Sequence, residues 1–237
     1  MKHDREEVLR VSVLIAAAGT GSRMGAGVNK QFLMLGDMPV LAHTLLAFEG
    51  VEQVSEIVIS AKEDEIVTIG HLIQDFGIRK VRAVVPGGAT RQESVRLGLE
   101  HVTEQKVLVH DGARPFVEKE HILAVVEALQ MHDAVTLGVR VKDTIKRVDK
   151  SGCVCETPER DGLFQIQTPQ GFLTEVLRNA HQKALEANFQ ATDDAALAEL
   201  IGVPVYVISG SAWNLKLTAP EDLVIGEAIL AAKQRKK

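Results

Sequence analysis

Cysteine is nearly absent from this 237-residue chain: there are two, Cys153 and Cys155, with no histidine close by in sequence. Two residues apart on a strand, their side chains face opposite sides and cannot easily bridge each other. Two thiols without histidines also make a poor zinc site, so both are expected to be buried or partly buried packing residues. No apolar stretch approaches the roughly 20 residues of a membrane span, and the polar Met1–Arg10 is unlike a secretory leader. A cytoplasmic protein without a membrane partner is expected. An excess of positive charge is missing too. The formal net charge of −5 argues against a general nucleic-acid binder, so any phosphate affinity has to come from a local concentration of arginine and lysine.

Two familiar glycine motifs are also absent. The dinucleotide pattern G-x-G-x-x-G would need a glycine where Met24 stands, and no acidic residue lies near position 41 to hold a ribose. The nucleoside-triphosphatase loop needs Gly-Lys followed by Ser or Thr, but Lys30 lies between Asn29 and Gln31.

What is present starts with Val11–Gln31, VSVLIAAAGTGSRMGAGVNKQ. A β-branched run shrinks to three alanines and breaks into a glycine-rich loop, as a strand does when a ligand must lie close to its last residues. Gly19 and Gly21 can expose consecutive N–H groups to an anion, and Arg23 and Lys30 add two full positive charges, a planar fork and a compact ammonium. Strands are predicted near Val11–Ala17, Glu56–Ser60, Val81–Val85, Lys106–His110, Ala134–Val139 and Val205–Ile208, with helical patterns between most of them. Leu41, Leu45 and Phe48 share one helical face, as do Ile122, Val125, Val126 and Leu129. This alternation implies α/β architecture, a sheet covered on both faces with a sizeable core from 46% hydrophobic residues.

The alternation breaks after Val139. Two alternating segments in Arg140–Arg160 flank Asp149–Gly152, which has the composition of a hairpin turn. An isolated hairpin is marginal in water, so this arm needs another surface, most simply a second copy of the chain. In Pro86–Gly98, Thr90 is a candidate helix N-cap with Glu93 as its reciprocal partner, and Gly87, Gly88 and Ser94 could read a planar base; a capping box with a tight turn accounts for the segment equally well. In His110–Pro115, Asp111 stands at the carboxyl end of an apolar strand, where open α/β sheets place ligands. It is a natural magnesium ligand alongside substrate phosphates, or else the partner of Arg114 in a loop-shaping ion pair.

Five segments in order, AAAGTGSRM with NKQ, PGGATRQESV, VHDGARPF, VKDTIKRV with the later TPQGF, and NLKLTAPEDL, together resemble the 2-C-methyl-D-erythritol 4-phosphate cytidylyltransferase family over nearly the whole chain. The resemblance implies a single domain over 1–237 with a Rossmann-like, mostly parallel nucleotidyltransferase sheet, and a β-arm over 140–160 that serves dimerisation. It implies CTP and a small polyol phosphate as substrates, Mg²⁺ as cofactor and a homodimer. By the same resemblance Ala16, Ala17, Ala18, Gly19, Thr20 and Gly21 wrap the triphosphate, while Arg23, Lys30 and Lys216 are catalytic. Pro86, Gly87, Gly88, Arg91 and Ser94 belong to the nucleotide site, and Asp111 lies on the ribose and magnesium side. Thr144 and Arg160 hold the substrate phosphate from the neighbouring subunit, and Thr192 and Asp193 complete the pocket. The family often has a short acidic residue where Trp213 precedes Asn214.

The implied nucleophile is already an ionised phosphate, so no Ser-His-Asp relay is required. The difficulty is bringing two anions together, which calls for fixed cations and backbone N–H groups. Ribitol 5-phosphate cytidylyltransferases share much of this pattern, and a non-catalytic nucleotide sensor could use the same loop. Pyrophosphate release with each acceptor separates these readings.

Overall fold

The computed structural model describes residues 9–19 and 29–235. Its centre is a seven-stranded sheet built from β1 (Val11–Ala16), β4 (Val54–Ala61), β5 (Val81–Pro86), β6 (Lys106–Asp111), β7 (Ala134–Arg140), β10 (Phe164–Leu173) and β11 (Tyr206–Ser209), in the spatial order β11-β7-β10-β6-β1-β4-β5. All neighbours are parallel except β10, which runs antiparallel to both β6 and β7. The expected mostly parallel α/β sheet is therefore present, and all six predicted strands exist with ends shifted by a residue or two.

β10 is the strand that sequence patterning did not provide. Its residues FQIQTPQGFL include three glutamines, a proline and a glycine, all poor strand formers. Pairing on both sides overrides that preference, and the register shift between Ile166 and Gln170 spans the proline. Gly171 has a packing reason: a Cβ there would lie 2.8 Å from Val125 Cγ1 of the overlying helix.

The strand pleat sends alternate side chains of β1 to opposite faces. Val11, Val13 and Ile15 join a core with Leu41, Leu45 and Phe48 of α1 (Val40–Glu49), Ile69 of α2 (Ile66–Asp75), and Ile122, Val125 and Val126 of α4 (Lys119–Ala128). Leu14 points the other way, into a core with Val95 and Leu99 of α3 (Arg91–Leu99), Leu177 of α5 (Thr174–Glu186) and Ala198 of α6 (Asp194–Leu200). The two predicted apolar helix faces are thus buried. A smaller cluster ties α7 (Pro220–Gln234) to the two-stranded ribbon of β2 (Met34–Leu35) and β3 (Met38–Pro39) through Leu35, Phe116, Leu223 and Leu230. Lys233, in the last turn of α7, lies against Phe116 and pairs with Glu118 at 3.1 Å.

The arm is a separate ribbon of β8 (Arg147–Val148) and β9 (Val154–Glu156). Its turn falls at Asp149–Gly152 as predicted: Asp149 Oδ1 accepts from the backbone N–H groups of Ser151 and Cys153, and Gly152 takes φ +85°. Cys153 and Cys155 are both exposed, contrary to the expected burial. Cys155 lies on β9 and Cys153 just before it, both thiols are unbridged, and no described residue covers either face of the ribbon.

Candidate active site

β1, β4, β5 and β6 are parallel, so their carboxyl ends and the loops that leave them lie along one edge of the sheet. A cavity of about 270 Å³ opens there. Ala16, Ala17, Ala18 and Gly19 form its wall where β1 ends, and Gly112 N donates to Ala16 O at 3.0 Å, tying the ends of β1 and β6 together. Lys30, Gly88, Arg91, Ser94, Asp111 and Lys216 also line this cavity. Thr20, Gly21 and Arg23 lie outside the described residues.

The loop from β5 into α3 is fixed by the predicted cap. Thr90 Oγ1 accepts from Glu93 N at 3.1 Å, while the Glu93 carboxylate accepts from Ala89 N at 2.7 Å, one residue before the expected reciprocal donor. Ser94 Oγ accepts from Gly88 N at 3.1 Å and donates to Thr90 O at 2.8 Å, so its hydroxyl shapes the backbone of the glycine pair. Gly87 N donates to Ala61 O at 2.7 Å, and a Cβ at Gly87 would stand 2.5 Å from Ala18 Cβ, which brings this loop flush against the end of β1. Pro86 closes β5 and is exposed.

Asp111 is the centre of charge. Its carboxylate accepts from Lys216 Nζ at 2.7 Å and Arg91 Nε at 3.1 Å, and Arg114 Nε lies 3.5 Å away. Burial opposes its ionisation, and the three cations outweigh burial, holding the carboxyl well below the usual carboxylate range. Arg91 extends the network through Nη1 to Asp194 at 2.7 Å, and these two carboxylates keep it cationic despite its burial. Asp194 is fully buried, with His181 Nε2 3.6 Å away.

A second chain of contacts sets the roof. His110 Nε2 lies 3.1 Å from Arg114 O, His110 Nδ1 lies 3.0 Å from Thr168 Oγ1, and Asp111 N donates to Thr168 Oγ1 at 3.1 Å. A carbonyl can only accept, so this network assigns the His110 proton to Nε2 and makes Nδ1 the acceptor of the Thr168 hydroxyl. Burial lowers the His110 pKa to about 4, against the hydrogen bond to Arg114 O, so the ring is neutral near pH 7.

Thr192 and Asp193 line an adjoining cavity of about 130 Å³ that shares Arg91, Asp111 and Lys216 with the first. Asp193 caps α6 by accepting from Ala196 N at 3.0 Å, and it accepts from Gln170 at 2.8 Å. Thr144 and Arg160 stand apart, exposed on the arm and at its base, where Arg160 Nη1 donates to Lys142 O at 2.7 Å. Asn214 is buried and donates to Thr168 O at 2.8 Å, and Arg114 donates to Asn214 O. The neighbouring Trp213 anchors its N–H on Ser211 Oγ.

Gln167, Thr168, Gln170 and Asp194 are the residues that sequence reasoning did not assign to the site. For the three β10 residues the signal is a polar run ending in Gln-Thr-Pro-Gln that turns out to be buried in the middle of a sheet, whereas Asp194 opens α6. Among the described residues no three His, Cys, Asp or Glu side chains converge into a metal cage. Asp111 is the single carboxylate among the described residues that line the larger cavity. That donor set fits magnesium only in its common mode, one carboxylate with substrate phosphates and water.

The arrangement can hold a polyanion between loop backbone and fixed cations. The family model for 2-C-methyl-D-erythritol 4-phosphate cytidylyltransferase matches residues 11–232. The chain is 48% identical to the 2-C-methyl-D-erythritol 4-phosphate cytidylyltransferase of Halalkalibacterium halodurans over 96% of this chain and 100% of that protein. It is 46% identical to the one from Alkaliphilus metalliredigens, over 96% and 95%. The crystal structure of 4-diphosphocytidyl-2C-methyl-D-erythritol synthase from Anaerococcus prevotii superposes with a TM-score of 0.83 at 31% identity, covering 95% of this chain and 100% of that one. The cytidylyltransferase from Thermus thermophilus gives 0.76 at 34% identity, covering 94% and 99%. With a cation-rich cleft at the strand ends and full-length likeness in both sequence and fold, the chain belongs to the 2-C-methyl-D-erythritol 4-phosphate cytidylyltransferase family.

Proposed function

We propose that the protein transfers the cytidylyl group of CTP to 2-C-methyl-D-erythritol 4-phosphate, giving 4-diphosphocytidyl-2-C-methyl-D-erythritol and pyrophosphate in the non-mevalonate route to isoprenoid precursors. The observation that carries the chemistry is the single carboxylate Asp111 amid Arg91, Arg114 and Lys216, at the mouth of a cavity that Lys30 also lines. The choice of substrates follows the full-length relatives at 46–48% identity.

In this reaction an oxygen of the substrate phosphate forms a bond to the α-phosphorus of CTP while the bond from that phosphorus to the bridging oxygen of pyrophosphate breaks. The attacking group is already ionised, so no side chain has to remove a proton. Lys30, Lys216 and Arg23 offset the charge that accumulates as the two anions meet. The glycine loops hold the triphosphate and the base, and Asp111 spaces Arg91 from Lys216 so that both point into the cleft. Magnesium, carried by the triphosphate with Asp111 as its protein neighbour, would neutralise phosphate charge.

The functional unit is one nucleotidyltransferase domain with the arm inserted in it, working as a cytoplasmic homodimer. The arm exposes Val148 and Val154, each 53% accessible, together with Ile145, and has no core of its own. Its partner surface in the second copy would bring Thr144 and Arg160 to the neighbouring site. Inactive Lys30→Ala and Arg160→Ala proteins, unfolded and refolded together, should then regain roughly a quarter of wild-type activity, because a mixed dimer holds one site free of both lesions. No recovery in verified mixed dimers rules out the shared site.

Pyrophosphate release with CTP and magnesium, using methylerythritol phosphate or ribitol 5-phosphate as acceptor, tests the main reading. Preference for ribitol 5-phosphate overturns the substrate assignment, and tight CTP binding without turnover on either acceptor overturns the assignment as an enzyme.

A further inference from the structure

Lys30 lines the cavity from a short 3-10 turn, Lys30–Phe32, that follows the glycine-rich segment in sequence. A lysine side chain is long and rotatable, so its ammonium is only as well placed as the backbone that carries it. The two residues beside it are anchored in the same way. Asn29 Nδ2 donates to Glu65 Oε1 at 2.9 Å and to Oε2 at 3.1 Å, and Gln31 Nε2 donates to Glu65 Oε2 at 2.8 Å. Asn29 is 8% and Gln31 2% exposed, so both amides are withdrawn from water and depend on that carboxylate.

Glu65 lies in the connection from β4 to α2, closing the 3-10 turn Glu63–Glu65. β4 is the parallel neighbour of β1, which places Glu65 on the loop next to the one that Lys30 completes. Its side chain is 13% exposed, and its charged neighbour is Lys62, whose Nζ lies 3.9 Å away. Hydrogen bonds to an ionised acceptor are roughly twice as strong as neutral ones. One carboxylate therefore holds the backbone on both sides of Lys30.

We infer that Glu65 is a positioning residue for Lys30: it clamps Asn29 and Gln31 so that the ammonium between them meets the reacting phosphates at a fixed place. The inference rests on Lys30 acting in the transition state as proposed above. Misplacement of a reacting or stabilising group by about 1 Å can cost about 10²-fold in rate. Glu65→Gln keeps the shape but turns one acceptor oxygen into an NH2 donor, and because Asn29 Nδ2 lies within reach of both oxygens a donor then faces it whichever way the amide is set, so the turn loosens.

The test is a double-mutant cycle on kcat and on KM for CTP, using wild type, Glu65→Gln, Lys30→Ala and the double variant. Glu65→Gln is expected to lower kcat by about 10- to 100-fold while KM for CTP stays within about threefold. In the Lys30→Ala background it is expected to add no further loss. Hydrogen exchange of the amides from 29 to 32 should quicken in Glu65→Gln, a change independent of turnover. An unchanged kcat, or the same fractional loss in both backgrounds, overturns the clamp. Full turnover in Lys30→Ala alone removes the role of Lys30, and a large loss there with none in Glu65→Gln removes only the clamp. Should Glu65→Gln melt below the assay temperature, Glu65→Asp, with its shorter reach, takes its place and is read by the same outcomes.

Discussion

Asp111 and Glu56 are both buried carboxylates, on the two strands that flank β1, but they are satisfied in opposite ways. Glu56 sits near the amino end of β4, where Oε1 accepts from Ser12 Oγ at 2.6 Å and from Thr103 N at 2.8 Å, with a partly exposed Arg82 3.4 Å from Oε2. Asp111 ends β6 at the other edge and faces Arg91, Arg114 and Lys216. The first arrangement is nearly neutral and closed, a bolt between strands and the loop after α3. The second sets Arg91, Arg114 and Lys216 against Asp111 and Asp194, an excess of cationic charge that makes sense where further anions are to arrive. Burial of a carboxylate is therefore no guide to its role, whereas the balance of charge around it is.

The comparison breaks first at Lys216. Removing its ammonium leaves Asp111 with two arginines, so Lys216→Ala should keep its melting temperature close to wild type and lose about 10²–10³ in kcat. Steady-state rates with both substrates check this, and full turnover would mean that the cationic excess is structural. Glu56→Ala should show the reverse. It strands the buried Ser12 hydroxyl and Thr103 N–H, costing about 2–4 kcal/mol of stability in denaturant titration, with kcat preserved in the folded fraction. A fall in kcat larger than the fall in folded protein would contradict the division of labour.

His110 has its pKa lowered in the fold to about 4, below its ordinary value of 6.5. The unfolded chain therefore binds the proton first as pH falls. The stability gained from the neutral ring is fully present above pH 6.5 and declines towards pH 4, by about 2 kcal/mol at pH 5. Denaturant titrations at pH 7 and pH 5 measure this difference, and His110→Asn should flatten most of it. An equal slope in that variant would assign the effect to another group.

Much of this architecture is legible in the residues themselves. β1 and β6 declare themselves as apolar runs ending in small or acidic residues, and Thr90 with Glu93 marks the start of α3. β10 does not, because its glutamines, proline and glycine are tolerated only by pairing on both sides and by packing against Val125. Asp111 can be singled out by its place at a strand end, but that Arg91 and Lys216 converge on it depends on contacts between segments far apart in the chain. Cys153 and Cys155 are unbridged as expected, yet burial depends on what covers the ribbon, and no residue pattern inside the arm encodes that.

The antiparallel insertion of β10 also governs how the chain can be assembled during synthesis. Strands β5, β4, β1 and β6 draw only on residues up to Asp111 and can close as local βα units. β6 and β7 follow one another in the chain but never touch in the sheet, because the slot between them belongs to residues 164–173. At about 5–20 residues per second, the edge of β6 with its buried Val107, Leu108 and Val109 waits roughly 3–12 s for that strand to emerge. During this interval the nascent protein carries a long apolar edge open to pairing with other chains, the state in which a chaperone would be of most use.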